Sequence, residues 1–473
     1  MEKLLLTFKK YFFWAVLGLF IFIPLYPKFP LFNVPGTYVA VRLEDFLIGL
    51  VFSGWLFIFG LKYIKNLLQE PITQAIVLFW LIGLLSLYSG LSLTNTVTPH
   101  LGLLHYLRRV EVMLLFFLAL SAFTTKKQVK IWLFTMLFVT LVLILYGFGQ
   151  QWLNFPVIST TNKEFSKGLI LFLTPEARVN STFAGHYDLA IFLAFFLTAA
   201  ASMFFYTKKI ISKLCLITVS IMGFILLIMT AARVSFIAVL LGIGCVFWFL
   251  GRKKLILLIL AAGILALTLS PELRHRTVAT FTVNFYGGGG PKYVPPPQKP
   301  GTTTKFSIEN AASGAVTPSG VPIDIVPGEP LNTTELGVFR SYAIRLNVEW
   351  PRAIRAFEKN PFLGTGYSSI TIATDNDYLR SLGETGFLGT ASLTLIFIIF
   401  IKKSIKFLKR SEKNLDYHIV LGVVSGLITI FITMIFIDVL ESSKVAELFW
   451  LTLGATFAII KMEDSNEKNI KNI

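Results

Sequence analysis

The chain has 473 residues, 55% hydrophobic and 14% aromatic, and only 15% charged, against roughly 25% in soluble domains. With a mean hydropathy of +0.71, this excludes a disordered chain, a fibrous one and an ordinary soluble enzyme. Runs such as 131–149 and 214–232 carry no charge, and each is long enough to cross about 30 Å of hydrocarbon as a helix. The expected fold class is an all-α polytopic membrane protein.

Hydropathy places twelve candidate spans near 11–27, 46–61, 72–91, 107–123, 130–149, 187–206, 213–231, 234–250, 255–270, 386–401, 418–437 and 445–460. The first follows Lys9 and Lys10 and lacks a small-x-small cleavage site, so it reads as a retained anchor. With the N-terminus in the cytoplasm, the cytoplasmic segments become 1–10, 62–71, 124–130, 207–213, 251–254, 402–417 and 461–473. They hold 23 Lys/Arg against 7 Asp/Glu, leaving 20 and 19 for the rest of the chain, so +16 of the net +17 sits on one side. That asymmetry is the positive-inside rule; it puts both termini in the cytoplasm and makes a nucleic-acid partner unnecessary to explain the charge. Cys215 and Cys245 lie inside apolar spans and His is scattered, so no metal site or disulfide is expected.

Two exported loops are long, 150–186 and 271–385, and function tends to sit in such loops. Within the second, 287–330 carries 9 Pro and 8 Gly in 44 positions and reads as a linker or flap. Over 335–359, Leu336, Phe339, Ala343, Leu346, Trp350, Ile354 and Phe357 recur at helical spacing, with Arg345, Arg352, Arg355 and Lys359 opposite them. That pattern fits either a helix lying on the membrane surface or one that packs on the bundle and aims an arginine at an anion. Pro351 kinks it or starts a second helix. There follow Asn360-Pro361-Phe362-Leu363-Gly364-Thr365-Gly366-Tyr367, then Asp375-Asn376-Asp377-Tyr378-Leu379, then Glu384-Thr385-Gly386-Phe387-Leu388-Gly389 at the mouth of the tenth span.

Two further arginines lie at membrane edges. Arg178 stands in Arg178-Val179-Asn180-Ser181-Thr182-Phe183 before the sixth span, with His186 and Asp188 beside it. Arg233 stands in Thr230-Ala231-Ala232-Arg233-Val234-Ser235 between two charge-free spans. Each fits a snorkelling side chain or a fixed cation for a phosphate, which a planar guanidinium binds bidentately without losing its charge.

Three blocks, 178–190, 230–235 and 350–389, together resemble the O-antigen ligase/polymerase superfamily of the bacterial envelope. The most specific is the third: Trp350, Pro361 eleven residues on, Gly-x-Gly, an Asn-x-Tyr-Leu element and Glu-x-Gly-x-x-Gly. The resemblance covers roughly 175–400 and implies a fold of the GT-C type. It divides the chain into 1–174 (helices 1–5 and the first exported loop), a ligase/polymerase-like core over 175–401, and 402–473 with the last two helices. It implies an inverting, metal-independent glycosyltransferase without a cofactor. Such an enzyme moves a glycan from an undecaprenyl-diphosphate carrier to a glycan or glycolipid acceptor at the outer face of the cytoplasmic membrane.

Carried over, the diphosphate-binding arginines are Arg178, Arg233 and Arg345. Arg345 stands five residues before the Trp where the family has four, and Arg340 competes with it. Asp375 takes the catalytic place where lipid A core ligases carry His, with Asn376 and Glu384 in support. That Asp favours a polymerase, or a ligase with another acceptor, over a lipid A core ligase. The rival class is a transporter or flippase of lipid-linked glycans. Against it stand few charges inside the spans and no internal repeat.

Overall fold

The computed structural model describes residues 2–27, 29–34, 40–158, 170–173, 178–280, 345–370, 374–441 and 443–471. The Pro/Gly-rich stretch 287–330, Arg340 and the first part of the amphipathic stripe lie outside them.

The chain is mostly helical, and its helices run back and forth as a bundle. They are α1 (Glu2–Leu25), α2 (Leu43–Leu67), α3 (Pro71–Tyr88), α4 (Pro99–Ala122), α5 (Lys126–Trp152), α6 (His186–Tyr206) and α7 (Ile210–Met229). They continue as α8 (Arg233–Phe249), α9 (Lys254–Leu269), α10 (Pro271–Ala279), α11 (Trp350–Lys359), α12 (Asp377–Arg410), α13 (Leu415–Thr433) and α14 (Ser443–Lys471). Local signals set their starts. Proline opens α3, α4 and α10, where the missing N–H costs nothing. Thr125 and Gln128 form a capping box at α5, and Asn376 and Asn414 cap α12 and α13 through their side chains.

All twelve apolar segments fall on helices, and the chain is an all-α, multi-pass membrane protein in type. Among the described residues, eight helices are long and apolar enough to cross a membrane. A ninth arises if the pair Lys254–Leu269 and Pro271–Val278, bent by 99°, is one span. Tyr11–Leu25 and Arg233–Phe249 are apolar but shorter. The expected span 107–123 lies on α4, which carries His105, Arg108, Arg109 and Glu111 in its first half and is free of charge over 112–122.

Two small antiparallel ribbons depart from the all-helical expectation. Pro30–Asn33 pairs with Ala40–Arg42, and Val157–Ile158 with Ile170–Leu171. Both join helices at the same end of the bundle. That end also carries α10, α11 and the start of α12, and is called here the site end; the other is the lysine-rich end. In the interior α6 packs on α7, α8 and α13, and α14 packs on α4. Small residues permit these crossings: a side chain at Gly422 would meet the Ala199 backbone at 2.9 Å.

Candidate functional site

Arg178 is held by a tightly bonded turn. Gln150 at the end of α5 grips Ser181 twice, accepting from its N–H at 2.8 Å and donating to its carbonyl at 2.9 Å. The Ser181 hydroxyl donates to the Leu143 carbonyl at 2.8 Å, which stabilises a left-handed backbone at φ 52. Thr182 donates to the Pro24 carbonyl at 2.5 Å, and the ammonium of Lys444 donates to the carbonyls of Thr182 (2.7 Å) and Pro24 (3.1 Å). Three helices therefore fix this turn, and the Arg178 guanidinium leaves it to meet His186 Nε2 at 2.6 Å.

Arg233 opens α8 after a turn in which Ala231 has φ 49. Its guanidinium donates to the Arg276 carbonyl at 3.0 Å and to the Thr280 hydroxyl, so it caps the C-terminal turn of α10. Arg345 lies in a π-helical turn, 345–349, that leads into α11, with Pro351 in the first turn of that helix. Arg345 Nη2 donates to Asp375 Oδ2 at 2.6 Å. The three arginines singled out in the sequence come together: Arg178, Arg345, Arg233 and a fourth, Arg276, all act electrostatically on the Tyr187 phenol. Arg276 also bonds Glu272 at 2.6 Å. Two of the four already have a carboxylate partner, Arg345 in Asp375 and Arg276 in Glu272, while Arg178 meets a histidine and Arg233 backbone and hydroxyl oxygens.

Asp375 has φ 49, the left-handed region, which aspartate enters more readily than most residues other than glycine. Asp438, between α13 and α14, holds the backbone on both sides of it. One carboxylate oxygen accepts from Thr374 N–H at 2.8 Å and the other from Asn376 N–H at 3.1 Å, the two residues flanking Asp375. Arg380 pairs with the same carboxylate at 2.9 Å. Next along, Asp377 accepts the N–H groups of Val439 at 2.7 Å and Leu440 at 3.2 Å. Burial pushes the Asp375 carboxyl above the ordinary aspartate range against the pull of Arg345. Burial, and then the neighbouring Asp375, pushes Glu349 up to about 8.

Asn376 and Glu384 support the site from outside the arginine cluster. Asn376 caps α12 by accepting from Leu379 N–H at 3.0 Å. Glu384 is buried against Arg380 at 3.5 Å. The glycine-rich blocks around it form a scaffold: Thr365 N–H donates to Gly383 O (2.9 Å), Gly366 N–H to Glu384 O (2.9 Å) and Phe387 N–H to Pro361 O (2.8 Å). Gly386 has φ 67 and breaks α12 into a short helix and a long one; a Cβ there would strike the Phe362 carbonyl.

Sequence reasoning missed three participants: Arg276, Arg380 and Asp438. Asp438 had a signal, a lone carboxylate at the end of a charge-free run. Arg276 had none, being one of several basic residues in Arg274-His275-Arg276. Among the described residues, no three His, Cys, Asp or Glu side chains are grouped as metal ligands. Comparison with family models and with curated proteins returned no match.

Proposed function

We propose that this protein is a membrane-embedded glycosyltransferase. It moves a glycan from an undecaprenyl-diphosphate carrier to an acceptor glycan, with inversion and without a metal. The observation that supports this reading is the convergence of Arg178, Arg233, Arg276 and Arg345 around Tyr187, next to Asp375. In this proposal the bundle has twelve spans and a GT-C type arrangement. It sits in the bacterial cytoplasmic membrane with the site end outward and both termini inside.

The chemistry follows from the groups present. The donor diphosphate enters the arginine cluster, and Arg345 exchanges the Asp375 carboxylate for a phosphate oxygen. Asp375 is then free to orient an acceptor hydroxyl. That oxygen attacks the anomeric carbon, the bond from this carbon to the diphosphate oxygen breaks, and the hydroxyl proton passes to Asp375. The electron pair leaves with undecaprenyl diphosphate, whose growing charge is met by arginines already in place. In the family this chain resembles, lipid A core ligases carry His at this place, so Asp375 favours a polymerase, or a ligase with another acceptor. The deciding experiment is to incubate the purified protein with lipid-linked oligosaccharide and follow chain growth and release of undecaprenyl diphosphate. Intact donor with no product would reject the proposal.

A further inference from the structure

A cavity of about 600 Å³ lies between α5, α6, α13 and α14, within the size range of ligand sites. None of the four arginines lines it. Along α6 its wall is Ile191, Phe195, Ala199, Met203 and Tyr206, one stripe at helical spacing that extends for roughly 22 Å at 1.5 Å per residue. Facing side chains, such as Phe449 and Val423, are also apolar. A slot this long and apolar suits a hydrocarbon chain and offers little to a polar solute.

Its far end is different. Lys130, Lys208 and Lys209 rim the cavity where α5 begins and α6 passes into α7. All three are exposed, and among the described residues no carboxylate pairs with any of them. Lys126, one turn earlier on α5, shows the contrast: Asp416 at 2.5 Å and Glu463 neutralise it. The protein therefore satisfies a nearby lysine internally and leaves three ammonium groups at the mouth of an apolar slot.

We propose that this cavity holds an acyl chain of an anionic glycerophospholipid from the leaflet at the lysine-rich end, with its phosphate among Lys130, Lys208 and Lys209. The charge of the rim selects an anionic headgroup, and the walls select the chain. The inference stands whether or not the site end transfers glycans.

The test is native mass spectrometry of the full-length protein in a neutral detergent. It is titrated with dioleoyl phosphatidylglycerol or with dioleoyl phosphatidylcholine, which has the same chains. One phosphatidylglycerol should be retained in preference to phosphatidylcholine. The combined variant Lys130→Gln, Lys208→Gln, Lys209→Gln changes only exposed side chains. It should lose that preference by on the order of 10²-fold, about fivefold per lysine. Ala199→Phe should reduce retention of both lipids by filling the slot; if it does not fold, the glutamine variant decides alone. Equal retention of the two lipids by the native protein, or an unchanged preference in the glutamine variant, overturns the proposal. So does retention of a polyprenyl diphosphate that phosphatidylglycerol cannot displace, which would give the cavity to the donor's tail.

Discussion

At Asp375 the backbone and the charge point to the same task. The N–H groups of Thr374 and Asn376, on either side of the left-handed Asp375, are both anchored on Asp438, so the fold fixes the backbone from which its side chain projects. Its burial makes it a better proton acceptor than an exposed aspartate. Asp375→Asn keeps size and hydrogen bonding and removes the base, so turnover should fall by about 10²–10⁴-fold while lipid-linked donor still binds. Asp375→His should restore part of the rate. Normal turnover in the Asn variant would leave Asp375 as the partner of Arg345 and no more. Arg233→Lys tests the other half of the site. Lys keeps the charge and gives up the planar fork that caps α10 and that, in the proposed function, would meet phosphate oxygens, so donor binding should weaken and most activity should go, with insertion intact. A fully active Lys variant would remove Arg233 from the donor site.

Glu349 gives the site a pH response. Its carboxyl is neutral at pH 7 and ionises near pH 8, placing a negative charge beside Asp375 and Arg345. That charge opposes a diphosphate, so activity should fall as pH rises through about 8, and the fall should be absent in Glu349→Gln. The stability sign is the same. The native state keeps this proton above the ordinary value of 4.5, where the unfolded chain has lost it, so Glu349's contribution falls as pH rises from 4.5 to about 8. A pH–rate profile with the same alkaline limb in both proteins would exclude Glu349 as its source.

At the scale of elements, the site depends on joints between helices. Asp438 ties the α13–α14 connection to the approach to α12, and its two oxygens serve both neighbours of Asp375. Asp438→Ala should lower kcat far more than it raises KM for donor, because it frees the backbone around Asp375 and the partner of Arg380 without touching Arg178, Arg233, Arg276 or Arg345. Asp438→Asn, which keeps an acceptor, should recover part of the loss. A variant whose only defect is in expression would mark Asp438 as structural. Gly386→Ala forces a Cβ against the Phe362 carbonyl at φ 67 and should cost more than about 1 kcal/mol of stability.

These joints also show how far the sequence could be read. The helices were legible because apolar length is a one-dimensional signal, Arg178 and Arg233 because a guanidinium at a membrane edge is costly, and Arg345 from its place opposite an apolar stripe and from the family resemblance. The glycines of 364–366 and 383–389 were visible as a motif, but their pairing across Thr365 and Gly383 is a tertiary fact that spacing does not encode. Asp438 lies 63 positions beyond Asp375, so nothing local announced that it fixes the backbone there. Glu384 looked like a site residue; in the fold its carboxylate faces Arg380 and its carbonyl receives the Ser86 hydroxyl at 2.6 Å.

At the scale of the whole molecule, the two ends of the bundle use charge differently. At the site end, arginines are knit to acids: Arg108 to Asp45 and Glu447, Arg109 to Glu441, Arg380 to Asp438. Cations and anions are nearly balanced there, and a cell has no reason to hold such an end back. The opposite end carries an excess of lysine that pairing does not cancel, although Glu70 meets Lys461 at 2.6 Å and Lys403 at 3.5 Å. Excess Lys/Arg in short connections is what keeps a loop in the cytoplasm. A reporter inserted within 402–417 should therefore be cytoplasmic, and one within 287–330 exported. The result bears on the chemistry as well as the orientation. An undecaprenyl-linked glycan awaiting polymerisation is on the outer side, so the arginine cluster can meet it only if the site end faces outward. If the reporters report the reverse, the cluster faces the cytoplasm and the proposed donor must be given up, even with every helix in place.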